Sequence, residues 1–367
     1  MRPAFSSTEK AAAFVLLLLL LLLAPWLAGK RFLPPREQAY ASAGWGWGPY
    51  PWIQKQIFDE TNDIDIAFMG SSRIDWAIDT PYVQEKLDER LGRKTVVRSI
   101  CWAGNGFDAL AITARDLLEH RHVKTLVFCD ESGMVNPGTG AVNWCRWGDD
   151  AGMLSGLPIR YKAYYYFAAT VEMPRNLLEL LTPNLPEETN DAIPNYYEAN
   201  WHAPNPEKTL GAVIAQVGYR DYDKVEAFAP YLPQTGVTAA DVFIYTPATA
   251  TNFAFSERPL PVWQVHFLEQ LESEAKSHDC KLVVLHVPVM EEKGSRQVSE
   301  SAYWPGVMGT DVAMMGVPTG RLFAGMTDGE IKRLFSNSDH MNENGVKYFT
   351  PLIVPALIQL YESKSPH

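Results

Sequence analysis

The residues best suited to chemistry lie where a short apolar run ends. In "IDIAFMGSSRIDWAID", Ile64 to Asp79, the chain passes through Gly70, Ser71 and Ser72 into Arg73 and an amphipathic segment. A serine at such a junction can act as a nucleophile if an imidazole takes its proton, a further group orients that imidazole and N–H donors receive the oxyanion. Ser72, at the start of the helix expected next, could offer its own backbone N–H to the oxyanion. Gly104, having no Cβ, could admit a second backbone N–H, and Asn105 is a nearby side-chain donor. Of the eight histidines, His340 has the setting of a site residue, within the polar "SNSDHMNENG", Ser336 to Gly345. His120 and His122 close a helix-like segment, His266 lies inside one, and His286 belongs to a run that reads as a buried strand. On these residues alone, a tight turn without catalysis carries equal weight. Arg73 has two readings as well: an ion pair with Asp75 or Asp79 on the helix that follows, or a cation that recognises a uronate or phosphate group.

Such groups need a scaffold, and the chain supplies one by alternating strand with helix. Apolar strand-like runs at Ile64 to Met69, "TVVRSICW" (Thr95 to Trp102), "TLVFCD" (Thr125 to Asp130) and "KLVVLHVPV" (Lys281 to Val289) are built of consecutive Val, Leu, Ile and Phe. Helical segments stand between them: "YVQEKLDERL" with Thr80 as N-cap, Pro81 at the first helical position and Gly92 as stop, then "FDALAITARDLLEH" and "VWQVHFLEQLESEAKSHD". Continuous apolar strands alternating with helices predict an α/β fold, a parallel sheet covered on both faces in three α/β/α layers. Ligands bind beyond the carboxyl ends of strands in such sheets. The polar clusters obey this, with Gly70-Ser71-Ser72 after the first strand, Ala103-Gly104-Asn105 after the second and Asp130-Glu131-Ser132 after the third. Residues 144–257 break the rhythm and read as a mostly helical insertion that caps one face of the sheet. The chain ends in "NENGVKYFTPLIVPALIQLYE", a helix that Pro351 and Pro355 would bend.

With 367 residues, 47% hydrophobic and 20% charged, the chain can bury a substantial core. Net charge is -11 and no Lys/Arg block occurs, which argues against nucleic acid as a partner. From Ala11 to Ala28 there are eighteen uncharged residues flanked by basic ones, close to the roughly 20 residues that cross a bilayer. Residues 1–32 therefore read as an N-terminal transmembrane anchor, with a cleaved signal peptide as the alternative. Both predict an extracytoplasmic body, periplasmic or at the cell surface, single-pass if the anchor stays. Residues 33–63, including "YASAGWGWGPYPW", read as a Trp/Gly/Pro-rich linker whose aromatics either cover the core or membrane interface or stack on sugars. The cysteines Cys101, Cys129, Cys145 and Cys280 have no metal-type spacing, and three lie in or beside apolar runs as small buried hydrophobes. No cofactor or metal is expected.

Gly70-Ser71-Ser72-Arg73 after a first strand, Gly104 after a second and "DHMNENG" near the C-terminus together resemble the SGNH (GDSL-type) hydrolase superfamily. More narrowly, an N-terminal anchor with "GSSR" and a terminal "HMNENG" is similar to exported SGNH-like proteins that accompany membrane-bound O-acyltransferases, as in lipoteichoic acid D-alanylation and alginate acetylation. The resemblance covers the strand-helix core of residues 64–367 without the insertion. It implies an SGNH/flavodoxin-like sandwich, Ser72 as nucleophile, the Ser72 and Gly104 N–H groups in the oxyanion hole, and His340 as base. In two places the sequence departs from the family. The acid usually stands three residues before the histidine, where this chain has Asn337, leaving Asp339 as a substitute; and the loop after the third strand reads "DESGMVNPG", with Asp130 or Glu131 in or near the place of an asparagine donor and only the more distant Asn136 offering an amide.

The resemblance thus implies a membrane-anchored acyl esterase or O-acyl(acetyl)transferase acting on a cell-surface polysaccharide. Its partners would be that polymer or an acyl donor, and a membrane-bound O-acyltransferase. The alternative is a non-catalytic SGNH-fold accessory protein that docks on such an acyltransferase or binds polymer. Candidate catalytic residues are Ser72, His340, Asn337 and Asp339, with Ser72, Gly104 and Asn105 at the oxyanion and Arg73 and Asp130 toward the substrate.

Overall fold

In the computed structural model, residues 5–28, 36–37, 40, 50–102, 106–130, 152–167, 231–245, 260–292, 308–309, 312–318 and 320–363 are described. The strands are β1 (Ile64–Ser71), β2 (Val97–Trp102), β3 (Val123–Cys129), β4 (Phe243–Tyr245), β5 (Lys281–Leu285) and β6 (Ala313–Gly316). The helices are α1 (Thr8–Ala28), α2 (Tyr50–Gln54), α3 (Ser72–Asp75), α4 (Thr80–Leu91), α5 (Phe107–His120), α6 (Val262–Ser277), α7 (Asp328–Lys332) and α8 (Glu343–Glu362).

The strands form one sheet in the order β2-β1-β3-β5-β6-β4. All neighbouring pairs are parallel except β4 with β6, where Phe243 faces Gly316 and Tyr245 faces Met314. The sheet is therefore mixed rather than wholly parallel. A three-residue edge strand with a largely exposed burial pattern tolerates the antiparallel direction, because nothing has to cover both its faces. β4 also corrects the reading of residues 144–257 as a cap alone, since Phe243–Tyr245 enters the sheet. The rest of that segment, apart from 152–167 and 231–245, lies outside the described residues.

Continuous apolar strands give two cores, one on each face. On one side Ala67, Met69 and Leu126 pack with α5 and α6 through Leu110, Ala114, Phe267 and Leu271. On the other Ile66, Phe68 and Val127 pack with α4 and α8 through Val83, Leu87, Phe349 and Ile353. Each Val, Leu, Ile, Phe or Met side chain fully buried there contributes about 1.5–3 kcal/mol. Met153, Leu154 and Tyr165 join the first core. Cys101, Cys129 and Cys280 are buried.

Local signals place most ends. Gly92 closes α4 in the left-handed region at φ 64°. The N-cap lies one residue before Thr80, because the Asp79 carboxylate accepts from Tyr82 N–H at 3.1 Å. Pro351 and Pro355 both lie inside α8. Within the expected linker, Tyr50–Gln54 is helical and Lys55–Asp59 continues as a π-helical turn. Tyr40, fully buried, donates its hydroxyl to Asp116 at 2.6 Å, and Trp52 packs on the first core.

At the N-terminus α1 is helical over 21 residues, and the side chains from Phe14 to Leu20 are exposed. Among the described residues no helix is long and apolar enough to cross a membrane, so the anchor rests on the sequence of residues 1–32.

Candidate active site

With the antiparallel edge strand set aside, the sheet runs 2-1-3-4-5 in chain order, and strand order reverses between β1 and β3. Ligands of doubly wound sheets bind at that reversal. β1 delivers its last residue, Ser71, there, and Ser72 begins α3. Gly70 has φ 139°, so the turn into α3 uses backbone freedom that other residues lack. Ser71 caps α3, its hydroxyl accepting from Arg73 N–H at 3.2 Å. That leaves Ser72 as the serine whose side chain faces the loop before α8.

The loop carries His340, and Ser72 Oγ lies 2.8 Å from its Nε2. Phe335 and Met341 pair across the loop as an antiparallel bridge, and Ser336 N–H donates to His340 C=O at 2.8 Å. The "HMNENG" motif is the anchor of this loop. Met341 is in the core; Asn342, fully buried, caps α8 by accepting from Asn344 and Gly345 N–H, and donates its amide to the carbonyls of Arg333 and Phe335.

Asn337 Oδ1 accepts the backbone N–H groups of Asp339 and His340, each at 2.9 Å. Two N–H donors aimed at one atom identify it as the oxygen, not the nitrogen, of the amide. The same oxygen is 2.9 Å from His340 Nδ1. Since it can only accept, Nδ1 carries the proton, Nε2 is bare, and Ser72 Oγ–H donates to Nε2. This is the tautomer a general base requires.

Burial is the main influence on the imidazole and pushes its pKa down to about 4; the Asp339 charge opposes this and the Arg73 cation adds to it. The Trp76 ring lies 4.7 Å from the imidazole, centroid to centroid, and Ser72 and His340 are each only 8% exposed. The imidazole is thus neutral at pH 7, buried and bonded to the Ser72 hydroxyl. Asp75, on the same short helix, accepts from Ser99 Oγ at 2.5 Å, and burial raises its pKa to about 7.

The other expected residues are placed differently. Asp339 is exposed, and it is the Asn337 amide that meets the imidazole. Gly104 and Asn105 lie outside the described residues. Arg73 does not pair with Asp75 or Asp79: it donates to the carbonyls of Asp130, at 3.2 Å, and Val287. Its Nη2 lies 4.0 Å from both Asp130 Oδ1 and Glu292 Oε1. Asp130 is turned inward too, its carboxylate 2.6 Å from His286 Nδ1 and accepting from Val287 N–H at 3.2 Å. Both side chains thus make their hydrogen bonds to neighbouring strand ends.

His286 and Glu292 were missed. The signal was positional: register pairs Cys129 with Leu285, so the next residues, Asp130 and His286, leave adjacent strands side by side. Among the described residues no group of three or more His, Cys, Asp or Glu is arranged to hold a metal ion. No protein-family model matches the chain, and no curated protein matches it either.

Proposed function

We propose that the protein is an SGNH-like serine esterase or O-acyltransferase, held by an N-terminal anchor outside the cytoplasm, that removes or transfers an acyl group on a cell-surface polysaccharide. The observation that carries this is the Ser72–His340–Asn337 chain of hydrogen bonds, with its tautomer fixed for base catalysis, at the strand-order reversal of a mostly parallel sheet. The SGNH-like sequence pattern supports the acyl chemistry. The uncharged run Ala11 to Ala28 supports the anchor.

In the reaction, Ser72 Oγ attacks the acyl carbonyl carbon as its proton passes to His340 Nε2. The carbonyl electron pair moves onto oxygen, which the Ser72 N–H and the Gly104 and Asn105 donors would receive. On collapse the bond to the alcohol oxygen breaks, and His340 returns the proton to that leaving oxygen. Water, for an esterase, or a sugar hydroxyl, for a transferase, then attacks the acyl-serine with His340 again as base.

A non-catalytic accessory protein is the second reading, and one observation favours it. Asn337 is neutral and gives the imidazolium no charge to lean on, while His340 is already a weak base. Incubation with p-nitrophenyl acetate and with a fluorophosphonate probe separates the two. Catalysis requires label on the wild type and none on Ser72→Ala; equal labelling of the two would leave the accessory reading in place.

A further inference from the structure

We propose that Arg73, Asp130, His286 and Glu292 form a buried ionic brace that sets the distance between Ser72 and His340, each acting as a positioning residue rather than a catalytic one. The inference rests on the proposed Ser72–His340 chemistry for its meaning, though not for its geometry.

The network runs from one half of the site to the other. Arg73, next to the nucleophile, grips the carbonyls of Asp130 and Val287, at the ends of β3 and β5. That contact pins the start of α3 over two neighbouring strands. His286 lies between Asp130 Oδ2 at 2.6 Å and Glu292 Oε2 at 2.9 Å. Carboxylates only accept, so both ring nitrogens donate and the imidazole is a cation. Burial alone would push His286 down, but Asp130 and Glu292 outweigh it and hold its pKa up at about 10. Two cations thus face two anions, with Asp130, His286 and Glu292 each at most 5% exposed. A buried group of this kind is tolerable only when every charge is matched.

The far end reaches the base. Glu292 Oε1 accepts from Val289 N–H at 3.1 Å and fixes the turn Met290–Glu292. From that turn Met290 N–H donates to Ser338 C=O at 2.9 Å, two residues before His340. The nucleophile turn and the base loop, 268 residues apart in sequence, are therefore tied to one internal object. Among the described residues, the charged groups acting on His340 include Arg73 from α3 and Asp339 from its own loop, and its neutral contacts include Ser72, Trp76 and Asn337.

The test reads the bond directly and the rate separately. In full-length protein with labelled histidine, the 15N resonance of His340 Nε2 reports whether Ser72 donates to it, and Ser72→Ala gives the position of the unbonded nitrogen. Glu292→Gln keeps shape and loses charge; Arg73→Lys keeps charge and loses the two-carbonyl grip. For both, the resonance is expected to move toward the Ser72→Ala position, with thermal unfolding checking that each variant is folded. The ester-hydrolysis kcat should fall about a hundredfold at nearly unchanged KM, the scale expected when reacting groups are misplaced by an ångström. A resonance that stays at the wild-type position in a folded Glu292→Gln or Arg73→Lys protein overturns the brace. This holds even if the wild type hydrolyses no ester, which would count against the proposed activity instead.

Discussion

Asn337 and His340 are joined twice through one atom: the Asn337 amide oxygen accepts the His340 main-chain N–H and the imidazole Nδ1–H, both at 2.9 Å. In the proposed chemistry the amide would do the orienting work of a triad acid and none of its charge work. Asn337→Asp retains an oxygen acceptor and adds a charge, so the ester-hydrolysis rate should hold or rise and the His340 pKa should climb from about 4. Asn337→Leu frees the tautomer, with a loss of up to about 10⁴ in kcat. Asp339→Ala should cost less than about tenfold. A large loss at Asp339 with none at Asn337 would transfer the role.

The pH dependence follows from the same imidazole. His340 must be unprotonated to accept the Ser72 proton, and its folded pKa is about 4. The rate kcat/KM should therefore be flat from pH 7 down to about 5 and fall only below that. Burial causes the depression and Trp76 is its nearest cover, so Trp76→Ala should move the acid limb upward, toward the ordinary 6.5 of histidine. It should also cost about 3–5 kcal/mol of stability as a buried aromatic lost. An acid limb at 6.5 in the wild type would show that burial does not depress the His340 imidazole.

The sequence showed more of the scaffold than of the brace. Four strands were legible as unbroken apolar runs, and the helices between them because each is long enough to display its own period. β6, the four residues "AMMG", and β4, "FIY", were not, since three or four residues have no period and their pairing is decided by the sheet they join. Ser72 and His340 stood out because polar residues gathered at strand ends and around one histidine. His286 did not, because what distinguishes it is a partner 156 residues away, brought alongside only by the β3–β5 register. The ion-pair reading of Arg73 failed for a related reason: its nearest acids in sequence point elsewhere, Asp75 to Ser99 and Asp79 to Tyr82 N–H.

Gly345 tests how firmly α8 carries the base loop. A Cβ there would come within 2.2 Å of Leu334 O and 2.8 Å of Met341 Cβ, backbone and side-chain root that cannot step aside. Gly345→Ala should cost about 1–3 kcal/mol in urea unfolding. Because Met341 adjoins His340, the rate should fall as well, beyond what the unfolded fraction explains. Wild-type stability in this variant would mean that α8 begins further from the loop than its cap contacts require.

Asp75 gives a stability prediction with a definite sign. Its folded pKa is raised from 3.8 to about 7 by burial, against the smaller lowering effect of the Ser99 hydroxyl. Between those values the unfolded chain releases a proton that the folded chain keeps, so this group's contribution to stability falls as pH rises from about 4 to about 7 and stays low above. Asp75→Asn can still accept from Ser99 through its amide oxygen and has no proton to lose. It should therefore match the wild type near pH 4 and exceed it at pH 8, by an amount on the order of 1–3 kcal/mol. The comparison is the difference in urea midpoint between the two proteins as a function of pH, which cancels the other buried acids and His340. A flat difference would mean that Asp75 is ionised in the folded protein throughout, and that the Ser99 bond and its surroundings offset burial.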